Sequence, residues 1–91
     1  MCNIKRYYII YKGQVQGVGF RYRLYQLAYK YNLTGYCHNL SNGDVSCEVQ
    51  GVRVDEFLKE SLNSHYFIEI EDFSCKLIDN KTDEKCFEIK Y

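Results

Sequence analysis

A chain of 91 residues with 46% hydrophobic content has room for one domain, residues 1–91, and too much apolar content for a disordered chain. Lys plus Arg and Asp plus Glu both number 12, and a formal net charge of zero argues against a nucleic-acid surface or a polybasic membrane patch. The five cysteines are odd in number and include no Cys-x-x-Cys, which speaks against a disulfide framework or a zinc knuckle and for buried thiols in a reducing compartment.

No apolar run has the length of a membrane span, and Met1 to Arg6 lacks the apolar core of a signal peptide, so the expectation is a cytoplasmic protein with no membrane partner. Lys5, Arg6, Lys12, Arg21, Arg23 and Lys30 make the early part basic. Glu69, Glu71, Asp72, Asp79, Asp83 and Glu84 make the later part acidic. A neutral chain can therefore still carry a locally positive mouth. Ten tyrosines and no tryptophan predict a core of partly polar aromatics with hydroxyls reaching its edges.

Tyr7 to Tyr11 reads as a strand, with Tyr7, Ile9 and Tyr11 on one face and Tyr8, Ile10 and Lys12 on the other. Apolar residues on both faces place it centrally in a sheet. Gly13-Gln14-Val15-Gln16-Gly17-Val18-Gly19-Phe20-Arg21 follows. From Phe20 the period becomes helical, with Phe20, Leu24, Leu27, Ala28 and Tyr31 forming one stripe and Arg23, Gln26 and Lys30 opposite. Asn32 ends this helix and Gly35 opens the next element.

Tyr36 to Leu40 and Asp44 to Gln50 flank Ser41-Asn42-Gly43, a strong hairpin signal that sets Cys37 opposite Cys47. Val45, Cys47 and Val49 alternate with polar residues, as on a sheet covered on one side. Gly51 breaks the strand. A second helix runs from Val54 to Leu62, with Asp55 and Glu56 suited to its N-terminal dipole. Phe67 to Ile78 reads as a fourth strand, Asp79 to Lys85 as a charged loop, and Cys86 to Tyr91 as a closing run with Phe87, Ile89 and Tyr91 on one face. Strand, helix, strand, strand, helix, strand is the order of an α+β, ferredoxin-like sandwich: a four-stranded antiparallel sheet with two helices on one face.

The glycine-rich segment between strand and helix suits a backbone cradle for an anion, where amides converge ahead of a positive helix end. By pattern alone it also suits a tight turn. It is not a dinucleotide fingerprint or a nucleotide P-loop, since no acidic partner follows about 20 residues on and no Gly-Lys-Ser/Thr closes it. Arg21 favours the cradle: a cation in a helix's first turn opposes the dipole, which an anion between them relieves, and its planar fork grips two oxygens. Arg23 points elsewhere and reads as a surface charge. Asn39 ends the hairpin's first arm, where an amide can accept from a water and donate to a phosphoryl oxygen at once, or simply bond its own backbone. Asn42 has the turn role. His38 alternates away from Asn39 and reads as surface. No cysteine or serine has a paired base, and no carboxylates cluster to hold a metal.

The segment Gly13 to Arg21 resembles the signature of the acylphosphatase family. The likeness continues through Leu33-Thr34-Gly35-Tyr36, Asn39, Gly43-Asp44-Val45 and Val49-Gln50-Gly51, and resumes at Phe87-Glu88-Ile89-Lys90-Tyr91, spanning essentially the whole chain. It implies the ferredoxin-like fold and metal-independent, cofactor-free hydrolysis of the carboxyl–phosphate bond of a small-molecule acyl phosphate. By the same resemblance Val15, Gln16, Gly17, Val18, Gly19 and Phe20, with Arg21, bind the phosphoryl group and Asn39 orients the attacking water. Two departures stand out. His65 to Ile70 lacks the proline-containing turn common in the family, and Cys37 replaces an aliphatic residue. A monomer is expected. A non-catalytic anion-binding module on the same scaffold is the competing reading, and a single-stranded RNA binder using Tyr8 and Tyr36 a third.

Overall fold

The computed structural model describes residues 3–17, 19–63 and 69–90. The elements run β1 (Lys5–Gln14), α1 (Phe20–Lys30), β2 (Thr34–Asn39), β3 (Val45–Gly51), α2 (Val54–Ser61), β4 (Glu69–Ile78) and β5 (Phe87–Lys90). The strands form one sheet in the order β4-β1-β3-β2-β5. The pairs β1–β3, β1–β4 and β2–β3 are antiparallel, whereas β5 lies parallel to β2.

The expected α+β sandwich is therefore present, with a mixed sheet of five strands in place of four antiparallel ones. The closing run makes the difference. It adds itself to the outer edge of β2, with Gly35 opposite Phe87 and the Gly35 amide donating to the Cys86 carbonyl at 3.1 Å. Since β4 and β5 lie at opposite edges, the chain between them has to cross the sheet. It crosses the face without helices. The fourth strand begins at Glu69, and most of the expected turn region from His65 lies outside the described residues.

The helical stripe of α1 is buried as its period requires, with Phe20, Leu24, Leu27, Ala28 and Tyr31 all in the core. The helix stops where Asn32 adopts φ 56°, and the Leu33 amide reaches back to the Ala28 carbonyl at 2.8 Å, closing the last turn. From α2 come Val54 and Phe57. Against these pack Ile9 and Tyr11 of β1, Cys37 of β2, and Val45, Cys47 and Val49 of β3. Cys37 pairs directly with Cys47, as the hairpin predicts. Three tyrosine hydroxyls do end on edge partners, Tyr7 on Asp55, Tyr31 on Glu60 and Tyr36 on Glu48, whereas that of Tyr11 stays inside and meets the buried Ser61 at 2.8 Å.

Gly35 is dictated by sheet geometry. Its φ is +139°, and a Cβ there would stand 1.9 Å from the Glu48 carbonyl oxygen of the neighbouring strand.

On the open face the fully buried Arg6 hydrogen-bonds Glu48 at 2.9 Å, Gln50 at 3.1 Å and Glu84 at 2.7 and 3.0 Å. The hydrogen bond to Glu84 is foremost in holding the guanidinium pKa above its ordinary value. Gln50 also clasps both the amide and the carbonyl of Lys81. These contacts fasten the crossing segment over the sheet. Of the early basic and later acidic residues, Arg6 and Glu84 are joined in space, while Arg6 also pairs with Glu48, Lys5 with Asp55 and Lys30 with Glu60. The thiols divide. Cys37 and Cys47 are buried and free, as expected, whereas Cys75 and Cys86 are exposed because β4 and the start of β5 lie at the sheet's edges. Among the described residues no helix is long and apolar enough to cross a membrane.

Candidate active site

The segment from Val15 to Gly19 leaves the sheet between two buried anchors. Val15 is inside the core, and so is Phe20, whose ring meets that of Tyr11 edge-on at 4.8 Å. Between the anchors the backbone turns outward. Gly17 and Gly19 take φ values of 73° and 79°, in the left-handed region that favours glycine. Val18 lies outside the described residues.

Gly19 is also the N-cap of α1 and carries no side chain to accept from the first turn. No side-chain cap is formed there and no acidic residue stands in the first turn. The helix therefore presents its first-turn amides and its partial positive charge without a carboxylate or hydroxyl competing for them, which suits an exogenous anion.

Arg21 follows in that first turn. Its Nη1 donates to the Lys90 carbonyl at 3.2 Å, which ties the guanidinium to the end of β5. Its backbone carbonyl accepts a weak hydrogen bond from Cys37, with Sγ 3.8 Å away. Burial pushes the Cys37 thiol up to about 12, so it is a packing group and weak donor. That contact gives a local reason for a cysteine at this position.

A cavity of about 220 Å³ opens at this place, lined by Val15, Gly17, Gly19, Phe20 and Arg21 together with Tyr22 and Ile89. Five of the residues singled out in the sequence thus meet around one hollow. Asn39 is not among the described residues that line it. It stands at the end of β2 opposite Val45, and its Oδ1 is buried with no hydrogen-bond partner in the structure. A buried acceptor left unpaired costs on the order of 1–3 kcal/mol, so such an atom is conspicuous at the end of a strand.

Gln16 connects the two parts. Its side-chain amide donates to the Leu40 and Asp44 carbonyls, both at 2.8 Å, bracketing the turn that begins immediately after Asn39. The same turn is closed by the Leu40 amide on Asp44 at 2.8 Å and by the Asn42 side chain accepting from the Asp44 amide at 3.0 Å. Asn42 thus has the turn role read for it. The side-chain function of Gln16 had no signal in the sequence, because its partners are backbone carbonyls 24 and 28 residues away. Tyr22 and Ile89 were likewise not read as site residues, although an exposed aromatic directly after Arg21 is a usable hint.

His38 lies on the open face, its Nδ1 3.0 Å from Ser46 Oγ, and so points away as strand alternation predicts. Arg23 departs from its reading as a surface charge. It is half-buried, and its Nε is buried without a hydrogen-bond partner.

The acylphosphatase family profile matches residues 7–89. The chain belongs to the acylphosphatase family. Hydrolysis of an acyl phosphate is the activity that comes with that membership. An acylphosphatase of Clostridium beijerinckii is 43% identical over 88 residues, covering 94% of this chain and 98% of that one. The crystal structure of the acylphosphatase from Bacillus subtilis superposes with a TM-score of 0.90 at 31% identity, covering 96% of this chain and 99% of that one. Full-length HypF, in a phosphate- and nucleotide-bound form, contains a similar unit: TM-score 0.89 and 31% identity, with all of this chain (100%) but 12% of HypF covered.

Proposed function

We propose that this acylphosphatase works by in-line attack of water on a phosphoryl group held by the Val15–Phe20 loop and Arg21, with Asn39 orienting the water. The observation that carries the reading is the uncapped N-terminus of α1 behind Gly19, with Arg21 in its first turn and an open cavity before it.

The chemistry asks for little more. The leaving group is a carboxylate, stable as an anion at neutral pH, so its departure needs no general acid. What is left is to hold a phosphoryl group, spread its charge and aim a nucleophile. Loop and first-turn amides supply donors whose cost of ordering is met by folding, and the guanidinium adds a fixed positive charge. The orphaned Asn39 Oδ1 is an acceptor suited to a water proton, while its NH₂ group can donate to a phosphoryl oxygen. The substrate is a small-molecule acyl phosphate, and neither a metal nor an organic cofactor has a step to perform.

Turnover of acetyl phosphate by the purified protein tests this directly. Arg21→Lys keeps the charge and loses the fork, and should cut kcat/KM by at least a hundredfold while the circular dichroism spectrum is kept. Asn39→Ala should lower kcat by a similar factor and alter inhibition by phosphate far less. Wild-type rates in either variant refute the role assigned to that residue. A loss of activity with chelator that magnesium restores would refute the metal-free route.

A further inference from the structure

Three tyrosines of α1 stand in solvent. Tyr22 is 59%, Tyr25 41% and Tyr29 80% exposed, and their spacing sets them in one stripe along the helix. Singly exposed aromatics need no explanation, but a continuous stripe that starts at a reaction centre does. Tyr22 is a wall of the phosphoryl cavity. Its ring stacks on Tyr25, with 6.3 Å between centroids and 10° between planes. Tyr25 and Tyr29 in turn wall a second cavity of about 400 Å³, lined by the apolar Ala28, Leu33 and Phe87 and at its polar side by Asn32, Thr34 and Lys85. Ile89 of the first cavity and Phe87 of the second are alternate residues of β5, on the same face. The two hollows are thus successive stretches of one seam between α1 and β5, beginning at Arg21.

From this continuity we infer that the α1–β5 seam binds the acyl part of the substrate, and that the preferred class is acyl phosphates with an extended apolar chain. The inference rests on the loop ahead of Arg21 being the phosphoryl site. A phosphoryl group held at the start of α1 leaves its acyl group pointing out past Tyr22, and the stripe from Tyr22 to Tyr29 offers about 10 Å of aromatic wall at the rise of a helix. A two-carbon acyl group ends before Tyr25. A medium-length chain reaches the second cavity, whose volume is of the size that small apolar ligands occupy. The tyrosines give large contact area at low side-chain entropy, with hydroxyls left in water.

The test compares kcat/KM for octanoyl phosphate and acetyl phosphate, both below the micellar range. The wild type should favour octanoyl phosphate by about tenfold or more, the scale of discrimination that a few methylenes provide. In Tyr25→Ser that ratio should fall at least fivefold, chiefly through KM for octanoyl phosphate. Tyr25→Phe keeps the ring and should keep the ratio. Tyr29→Ser serves as a second variant that removes wall without touching the first cavity. A ratio near one with both substrates turned over refutes the acyl seam and leaves the phosphoryl site standing. A high ratio insensitive to both serine variants also refutes it. No turnover of either substrate overturns the phosphoryl reading, and the seam with it.

Discussion

Gln16→Leu separates what Gln16 does for stability from what it does for catalysis. The substitution keeps the side chain's bulk and removes two 2.8 Å hydrogen bonds to the Leu40 and Asp44 carbonyls. Neither acceptor is orphaned, because Leu40 still accepts from the Gly43 amide at 3.2 Å and Asp44 from the Leu40 amide at 2.8 Å. The loss is therefore near the ordinary net value of about 1 kcal/mol per bond, roughly 2 kcal/mol in all. For a domain of this size that is a fall in Tm of about 10 °C. The catalytic effect follows from geometry. Gln16 fastens the loop to the turn next to Asn39, and misplacing a positioning group by about 1 Å costs on the order of a hundredfold. Thermal unfolding by circular dichroism and steady-state turnover of acetyl phosphate measure the two effects. We expect kcat to fall tenfold to a hundredfold in otherwise folded protein, with little further loss when the change is made in Asn39→Ala, because the two residues act in series. A kcat within twofold of wild type, with Tm lowered, refutes the positioning role and leaves a purely structural staple.

Gly35→Ala should prevent β2 from pairing with β3, because its Cβ would stand 1.9 Å from the Glu48 carbonyl oxygen, and soluble folded protein with a wild-type Tm would contradict this. Arg6→Met leaves Glu48 and Glu84, each mostly buried, without their hydrogen-bonded cation and with only Lys81, 4.0 Å from Glu48, nearby, and should cost roughly 3 kcal/mol in urea unfolding. Burial alone raises the Glu84 carboxyl, but hydrogen bonds from Arg6 and Thr34 outweigh it and hold the folded pKa below the ordinary 4.5. Glu48 behaves likewise, lowered by Tyr36 and Arg6 against its own burial. A depressed folded pKa stabilises above the unfolded value and ceases to do so as pH falls through the folded one, so Tm should drop below about pH 4.5. Glu84→Gln should make that drop shallower, and an unchanged slope would show that other carboxylates set it.

The elements were legible in the sequence wherever a repeating apolar period matched a buried face. The stripe from Phe20 to Tyr31 and the alternation Val45, Cys47, Val49 each correspond to core residues. Asn-Gly marked the β2–β3 turn, and it put Cys37 against Cys47. The fifth strand was not legible as one. Phe87 and Ile89 alternate correctly, but four residues carry no sign of which edge they join or in which direction. That is decided by the Arg6–Glu84 and Gln50–Lys81 contacts on the open face, between residues lying 78 and 31 positions apart. A buried arginine within a strand-like aromatic run looks in sequence like any surface cation. The hollow proposed as the phosphoryl site was marked in the sequence by Gly17, Gly19 and Arg21, because positive φ and first-turn charge leave a compositional mark. The attachment of Gln16, by contrast, is a bond to backbone, and backbone has no letter in the sequence.

A site built this way divides its work between backbone and core. Gly17 and Gly19 line the cavity with backbone alone, since they have no side chains. Their precision is set instead by what flanks them: Val15 and Phe20, held in the core, and Gln16, held on the hairpin. Arg21 is fixed from both ends, its carbonyl by Cys37 on β2 and its guanidinium by Lys90 on β5. The crossing segment that β5 depends on is in turn clasped by Arg6 and Gln50. Changes on the open face should thus reach the proposed phosphoryl site through the seating of β5. In Arg6→Met, the part of any kcat loss that persists under conditions where the protein remains fully folded measures that coupling.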